Sequence, residues 1–506
     1  MLKQKLILAV FALATLFVAC NDDETVEIIE TYPVELSIAF PEKNQDFQYP
    51  SWSESREIAA FRTDDRSADK LILTQSSGQT FLATSEDQIN EITEFSFLYP
   101  ASASTVSASD TLTQVLYIDR QDGTLAGLAD FDYTWGTYTY DEDEEDYAPV
   151  STLTPLMSFC KFQFTENGRP IERISQVIIT SPTDSLHVVG ELDLMDGIVD
   201  SEHRGSMVIR NTQGLSGEVY AAFFPMETAL HFTISTLDGK SYEAVLPEVM
   251  EFKAGSTFIH TDIVCSELSP ARIGDYYYSD ATWSTLLDEG KKCVGIVYAL
   301  DDANGNIDRT LTESAHGRVV AIRDCSEEVA WCVTGEDVEG IGNQTVLQDT
   351  MYVGSLPYLN GTPDSFFSDE TIEQLTGVRI NSSTGQISSW YTQGALSDFN
   401  GHANTLATIG SAGTYYARMY CMEHGQGLYG WYLPSAGELA LLWMLHRTGA
   451  ICNETHDVFE DFDTFGYWTS TEYDAGNVWY INFWSGMITK NSKKSSLYNV
   501  RPVIQF

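Results

Sequence analysis

HFTISTLDGKSYEAVLP, residues 231–247, consists of two runs of β-branched and aromatic residues parted by Leu237-Asp238-Gly239-Lys240. Asp-Gly between two such runs is a hairpin signal, because the glycine supplies the left-handed backbone that a tight turn needs. Working outward, VELSIAF (34–40), SQVIITS (175–181) and GEVYAAFFPM (217–226) have the same character and are punctuated by Gly, Pro, Asp and Asn. Many short strands at short spacing, with few helix signals between them, predict β-sandwiches rather than alternating βαβ units.

A chain of 506 residues with 12% aromatics has material for several cores, and two to four domains are expected. Its formal net charge of -45 would repel nucleic acid and anionic headgroups, so neither is expected as a partner. The acidic run DEDEEDYAP (141–149) lacks the spaced ligands and glycine of a calcium loop and reads as a solvated break between two β domains. At the start, MLKQKLILAVFALATLFVAC has two lysines, a short apolar run and a small residue before Cys20, then Asn21-Asp22-Asp23-Glu24. That is the pattern of a cleavable signal peptide, too short to span a bilayer.

Past Ser269-Pro270 the chain becomes richer in Gly, Trp and Tyr. Ser435 followed by Glu438 and ELALLWMLHR predicts a capped helix. From Val478 to Trp484 the residues alternate, which predicts a strand with Trp479, Ile481 and Phe483 inward and Tyr480, Asn482 and Trp484 outward. Ser485-Gly486 then turns the chain into a polar return. Tyr473, Asp474, Tyr480, Asn482, Trp484, Ser485, Met487, Thr489, Lys490 and Asn491 are the candidate ligand-binding residues. They mix flat aromatics with adaptable hydrogen-bonding groups, as binding surfaces often do.

No catalytic residue is expected. Cys421 and Cys452 have neither an electropositive setting nor a base placed by sequence, and no nucleophile elbow, P-loop or HExxH pattern occurs. No metal site or cofactor is expected either, since no Cys/His group has ligand spacing. With Cys20 set aside seven cysteines remain; Cys421 with Cys452, or Cys325 with Cys332, could bridge, or all could be buried thiols.

The start of the chain resembles a bacterial lipobox, with Phe17 where leucine is usual, and the acids after Cys20 resemble the surface-export signal of Bacteroidetes lipoproteins. FSFLYPASA (95–103), DFDYTWGTY (130–138), LTPLMSFCKFQF (153–164) and FKAGSTFIHTDIV (252–264) together resemble the fimbrillin family of Bacteroidetes pilus subunits. IGDYYYSDATW (273–283), GWYLPSAGEL (430–439), YWTSTEY (467–473) and NVRPV (499–503) are similar to the C-type-lectin-like modules of Bacteroidetes surface proteins, some of them variable proteins of diversity-generating retroelements. The resemblances imply a mainly β chain: a lipoprotein signal peptide (1–20) with lipid on Cys20, a linker (21–34), two tandem fimbrillin-like β-sandwiches (35–150 and 151–268) and an α+β C-type-lectin-like module (269–506).

They further imply a pilus-tip or minor fimbrial subunit acting as an adhesin at the outer membrane, cell surface or fimbrium. An arginine-directed protease would cut at Arg56, Arg62 or Arg66, and a donor strand from another subunit would then be accepted. RPVIQF (501–506) falls inside the head module, which predicts a cap position. The ligand would be a surface glycan or protein. The alternative is a surface lipoprotein that does not polymerise and binds glycan for nutrient capture.

Overall fold

The computed structural model describes residues 32–41, 56–63, 70–85, 94–103, 112–141, 146–147, 151–182, 186–302, 304–308, 311–333, 335–343, 350–352, 379–380, 387–389, 395, 398–408, 414–463, 465–484, 486–493 and 495–506. Cys20, Arg66 and Ser485 lie outside them, as do most of the linker and much of the acidic run. The fold is mainly β, and three α-helices occur among the described residues.

The first sheet is built on β1 (Tyr32–Ala39), β2 (Glu57–Arg62), β3 (Lys70–Ser77), β4 (Thr80–Ser85) and β5 (Glu94–Tyr99). They lie in the order β1-β4-β3-β2-β5, and Thr134–Asp141 extends the sheet beyond β5. β1, within the strand run VELSIAF, alternates between the core and solvent. Val34, Leu36 and Ile38 are buried with Phe81, Phe95 and Phe97, while Glu35 and Ser37 are exposed. On one side β1 pairs antiparallel with β4 over Tyr32 to Ser37. On the other, among the described residues, it pairs in parallel with Ser151 and Thr152.

A second set of sheets follows. The hairpin expected at residues 231–247 forms: Met226–Thr236 pairs with Ser241–Phe252 across a turn closed by Thr236 N–H to the Lys240 carbonyl at 2.9 Å, with Gly239 at φ +85°. Ser158–Glu166, Glu172–Thr180, Met207–Ser216 and Glu218–Phe223 complete the layers around a core rich in phenylalanine, including Phe162, Phe164, Phe223 and Phe232. Two short strands from before residue 150 belong here. β6 (Thr113–Tyr117) pairs with His187–Asp193, and β7 (Arg120–Gln121) pairs with Met207–Ser216. The sheets on either side of residue 150 are therefore tied by more than a linker.

From residue 276 on the described residues form three further sheets, one of them only the pair Arg379–Ile380 with Ile387–Ser389. Of the larger two, one runs Trp283–Ser284, Tyr276–Tyr278, Cys293–Leu300, Gly317–Ala321, Val503–Gln505. The other contains β8 (Gly466–Asp474), β9 (Asn477–Asn482) and β10 (Met487–Ser492), with Ser326–Val329 and Tyr498–Val500 beyond β8 and Thr350–Tyr352 beyond β10. The helix predicted after Ser435 is α3 (Ala436–Arg447), following α1 (Gly401–Ala407) and α2 (Tyr416–Glu423). Glu438 Oε2 accepts the Ser435 backbone N–H at 2.8 Å, the reach-back of a capping box. Every residue from Ala436 to Leu445 is buried, so α3 lies inside the module rather than on its surface.

Candidate functional site

The C-terminal hairpin is held at both turns by its own polar groups. At the β8–β9 turn, Asp474 Oδ1 accepts from the Gly476 N–H at 2.9 Å and from Asn477 Nδ2 at 2.8 Å, an Asx turn that sets the pairing of Glu472 with Val478. At the β9–β10 turn, the Gly486 N–H donates to the Asn482 carbonyl at 2.8 Å. Gly486 has φ +68°, and a Cβ there would lie 2.4 Å from the Trp443 ring of α3, so backbone conformation and lack of space both require glycine. Trp443 Nε1 donates to the Phe483 carbonyl at 2.8 Å and fixes the same turn from below.

Trp479, Ile481 and Phe483 point inward, as the alternation predicts, and pack with α3. The opposite face of β9 is a correction to the reading of one wet face. Val478 is fully buried and Tyr480 is only 8% exposed. Tyr480 stacks on Tyr498 with ring centroids 4.1 Å apart and meets Trp468 edge-on. A second layer including Trp331, Tyr415 and Cys421 covers that side. Period two separates the faces of a strand, but it does not say that either is wet. Burial, followed by the Tyr498 hydroxyl, holds the Tyr480 phenol well above its ordinary pKa.

The other candidates fall into separate places. Tyr473, Asp474 and Lys490 lie toward the β8–β9 turn. The Lys490 ammonium sits 3.7 Å from the Tyr473 ring centroid, and Tyr473 in turn meets Trp479 edge-on. Thr489 is opposite Tyr480 and Asn491 opposite Val478. Asn491 Nδ2 donates to the Tyr498 hydroxyl at 2.7 Å, which makes it a brace for the Tyr480–Tyr498 stack. Asn482 is paired with Met487 and leads into the turn that carries Trp484. Trp484 is 62% exposed, a large flat apolar surface in water.

Two neighbours of Trp484 are absent from the sequence reading. Phe465 and Leu497 are 58% and 52% exposed. The Phe483 N–H donates to the Phe465 carbonyl at 3.1 Å, so Phe465 adjoins the turn. Tyr467 pairs in parallel with Asn499, which puts Leu497 level with Phe465. Gly466 lets the Tyr498 ring come close; a Cβ there would be 2.5 Å from it. Three residues with exposed apolar side chains thus fall at one end of the sheet by backbone register. The available signal was an apolar residue immediately before each strand start, in FGYW and SLYN.

At the other end of the sheet, by the β8–β9 turn, Lys493 and Glu472 form an ion pair with both side chains fully buried. Lys493 Nζ also donates to the Glu336 carbonyl at 2.9 Å, and Glu472 Oε2 accepts the Val338 N–H at 3.3 Å. Burial raises the Glu472 carboxyl, and the Lys493 ammonium opposes that.

Of the candidate cleavage sites, Arg56 is half-buried just ahead of β2, its guanidinium 4.3 Å from the Phe40 ring centroid. Arg62 ends β2 and pairs with Phe95 in the interior of the sheet. The seven described cysteines are free thiols; neither Cys421 and Cys452 nor Cys325 and Cys332 are bridged. The Cys421 thiol instead contacts that of Cys325. No group of three His, Cys, Asp or Glu that could hold a metal occurs among the described residues.

No protein-family model matches this chain, and no curated protein matches it. Among solved structures, it is similar to a fimbrial protein of Bacteroides ovatus at 14% identity, covering 94% of this chain and 100% of that one with a TM-score of 0.30. It is also similar to the tip fimbrial protein of Porphyromonas gingivalis with C-terminal truncation, at 12% identity over 44% of this chain and 90% of that one, TM-score 0.22. A fimbrial assembly protein of Parabacteroides distasonis is similar at 11% identity over 47% of this chain and 86% of that one, TM-score 0.21.

Proposed function

We propose that the chain is a cell-surface fimbrial adhesin, a tip or minor subunit that accepts a strand from a neighbouring subunit and presents a binding surface at its C-terminal hairpin. The observation that carries the reading is the setting of β1. It fills the first core with Val34, Leu36 and Ile38, yet among the described residues its outer edge pairs in register at Ile38 and Ala39 alone. Removing it would free the long edge of β4 and leave an apolar slot spaced for alternate side chains of an incoming strand.

Arg56 suits this role better than Arg62. A cut after Arg56 releases β1 and leaves β2 whole, whereas Arg62 is the last residue of β2, paired with Phe95, and a cut there would take β2 away with β1. At the other end, Val503–Gln505 is hydrogen-bonded to Gly317–Ala321, and the Phe506 ring packs against Tyr277 and Trp283 at 4.9 and 5.0 Å. That strand is engaged within the head and is not available for donation. The exposed Trp484, with Phe465 and Leu497 beside it, supplies the face on which a sugar ring or an apolar protein surface could stack.

The test is limited digestion of the purified chain with an arginine-specific endoprotease. A cut after Arg56 should release β1, and the product should take up a synthetic Tyr32–Ala39 peptide, read by native mass spectrometry. A chain that stays whole at Arg56, or a cut product that takes up no peptide, overturns the reading.

A further inference from the structure

Between the second set of sheets and the head lies a cleft with two adjoining lobes of about 140 and 220 Å³. Its walls are locked together by Ser206 Oγ, which accepts the Tyr429 N–H at 3.0 Å. The cleft is cationic in a chain whose net charge is -45. Arg120 and Arg210 both line it, and Asp119 is the single carboxylate in either lining.

The two guanidiniums are poorly neutralised. Arg120 Nε lies 3.3 Å from Asp119, and its Nη2 is directed at His402 Nε2. Burial, followed by the charges of Arg120 and Arg210, lowers the His402 pKa to about 3, so the ring is neutral and accepts from Arg120. Arg210 donates Nε and Nη2 to the neutral Gln176 Oε1, at 2.9 and 2.6 Å, and no carboxylate pairs with it among the described residues. Asp301 also acts on Arg210 but is already paired with Arg318, so two cations face a cavity lined by one carboxylate, an arrangement that a bound carboxylate would relieve. In the second lobe, which Arg120 also lines, Tyr117 and Tyr429 supply aromatic surface.

We infer that this cleft is a second ligand site, and that it takes an acidic sugar ring, its carboxylate on Arg120 and Arg210 and its ring against Tyr429. The lobes are smaller than the ~300–1,000 Å³ of drug-sized sites, which suits one ring rather than an extended chain. The site does not depend on the reading of the hairpin or of β1, since it shares no residue with either.

The experiment is isothermal titration of the full chain with D-glucuronate, with D-glucose, acetate and inorganic phosphate as separate arms. Saturable heat with glucuronate and none with glucose at equal concentration is expected, with acetate weaker than glucuronate. Arg210→Gln and Arg120→Gln should each weaken glucuronate binding roughly tenfold or more, the scale of a lost charge-assisted hydrogen bond. Arg120→Lys and Arg210→Lys, which keep charge and lose the planar fork, should also bind less well, and they replace any glutamine variant whose melting curve shows a folding defect. The inference is overturned by absence of saturable glucuronate binding, by unchanged affinity in the arginine variants, or by acetate or phosphate binding as tightly as glucuronate.

Discussion

Arg318 and Glu438 stand 120 residues apart in sequence and meet as a buried ion pair, Arg318 reaching from its strand to the first turn of α3. Arg318 Nε also lies 3.2 Å from Asp301, and Glu438 Oε1 accepts the Tyr432 hydroxyl at 2.8 Å. One guanidinium thus joins the sheet, the helix and the Asp301 loop. Removing only one partner leaves a charge in a place water does not reach. Arg318→Met should cost on the order of 3–5 kcal/mol in equilibrium urea unfolding. Arg318→Met with Glu438→Leu and Asp301→Asn should recover part of that loss; no recovery would mean that the charges are not the main term.

Lys493→Met should be comparably damaging for the same reason, since it strands the Glu472 carboxylate. The cost should be roughly 3–5 kcal/mol, and the Trp331 ring, 5.2 Å from the ammonium, gives a fluorescence readout. A change below about 1 kcal/mol would be inconsistent with a dry, paired Glu472.

The Trp484 turn allows stability and binding to be separated. Trp484→Ala removes an exposed side chain and should leave stability within about 0.5 kcal/mol while abolishing binding in a glycan-array or cell-adherence assay. Gly486→Ala forces a side chain toward Trp443 at a left-handed position and should cost about 1–3 kcal/mol. If Trp484→Ala adheres like the parent, the apolar end of the sheet is not the contact surface.

Acid should weaken the fold. Burial lowers His316 and His424 to about 4 and His402 to about 3, from an ordinary 6.5. A histidine depressed in the folded state contributes stability that is complete above pH 6.5 and is lost as pH falls toward the folded value. For His316 the gap from 6.5 to about 4 corresponds to roughly 3 kcal/mol. Asp301 opposes this: burial raises it from 3.8 to about 6, so its contribution is present at low pH and lost as pH rises through 6. Burial raises Asp119, Asp275, Asp324 and Glu472 too, and lowers His260 and His446; the three large histidine shifts dominate, and the urea midpoint should fall between pH 7 and pH 5. His316→Gln should flatten that slope. A midpoint that holds or rises on acidification contradicts the assignment.

The thiols should be slow to react in the folded chain. Burial raises Cys293 to about 11 and Cys265 to about 12, and holds Cys160 and Cys421 well above the ordinary thiol value. At pH 8 the thiolate fraction is small at each of the four, so maleimide labelling followed by peptide mass spectrometry should find them largely unmodified until denaturant is added. Rapid native labelling of Cys421 would disagree with its burial.

Local chemistry made part of this legible in sequence. The Asp238-Gly239 hairpin, the Ser435–Glu438 cap, the strand run VELSIAF and the inward set Trp479, Ile481 and Phe483 all depend on neighbours within a few residues. What sequence did not reveal depends on partners far away. Tyr480 is dry because Tyr498 and Trp468 cover it, and Arg318 finds Glu438 only once the sheet and α3 are packed. Phe465 and Leu497 have the hydropathy of core residues, and only strand pairing puts them at the end of the sheet that carries Trp484.

The strand Val503–Gln505 also constrains the order of events in synthesis. The sheet that opens at Tyr276 has an unfilled edge at Gly317–Ala321 until residues near 503 have been made. Its contacts are therefore long-range, and the head should assemble late and slowly compared with the hairpin at 231–247. A ribosome stalled before residue 500 would hold the earlier sheets folded and the head open, with the Gly317–Ala321 edge exposed to chaperones or to misplaced strands.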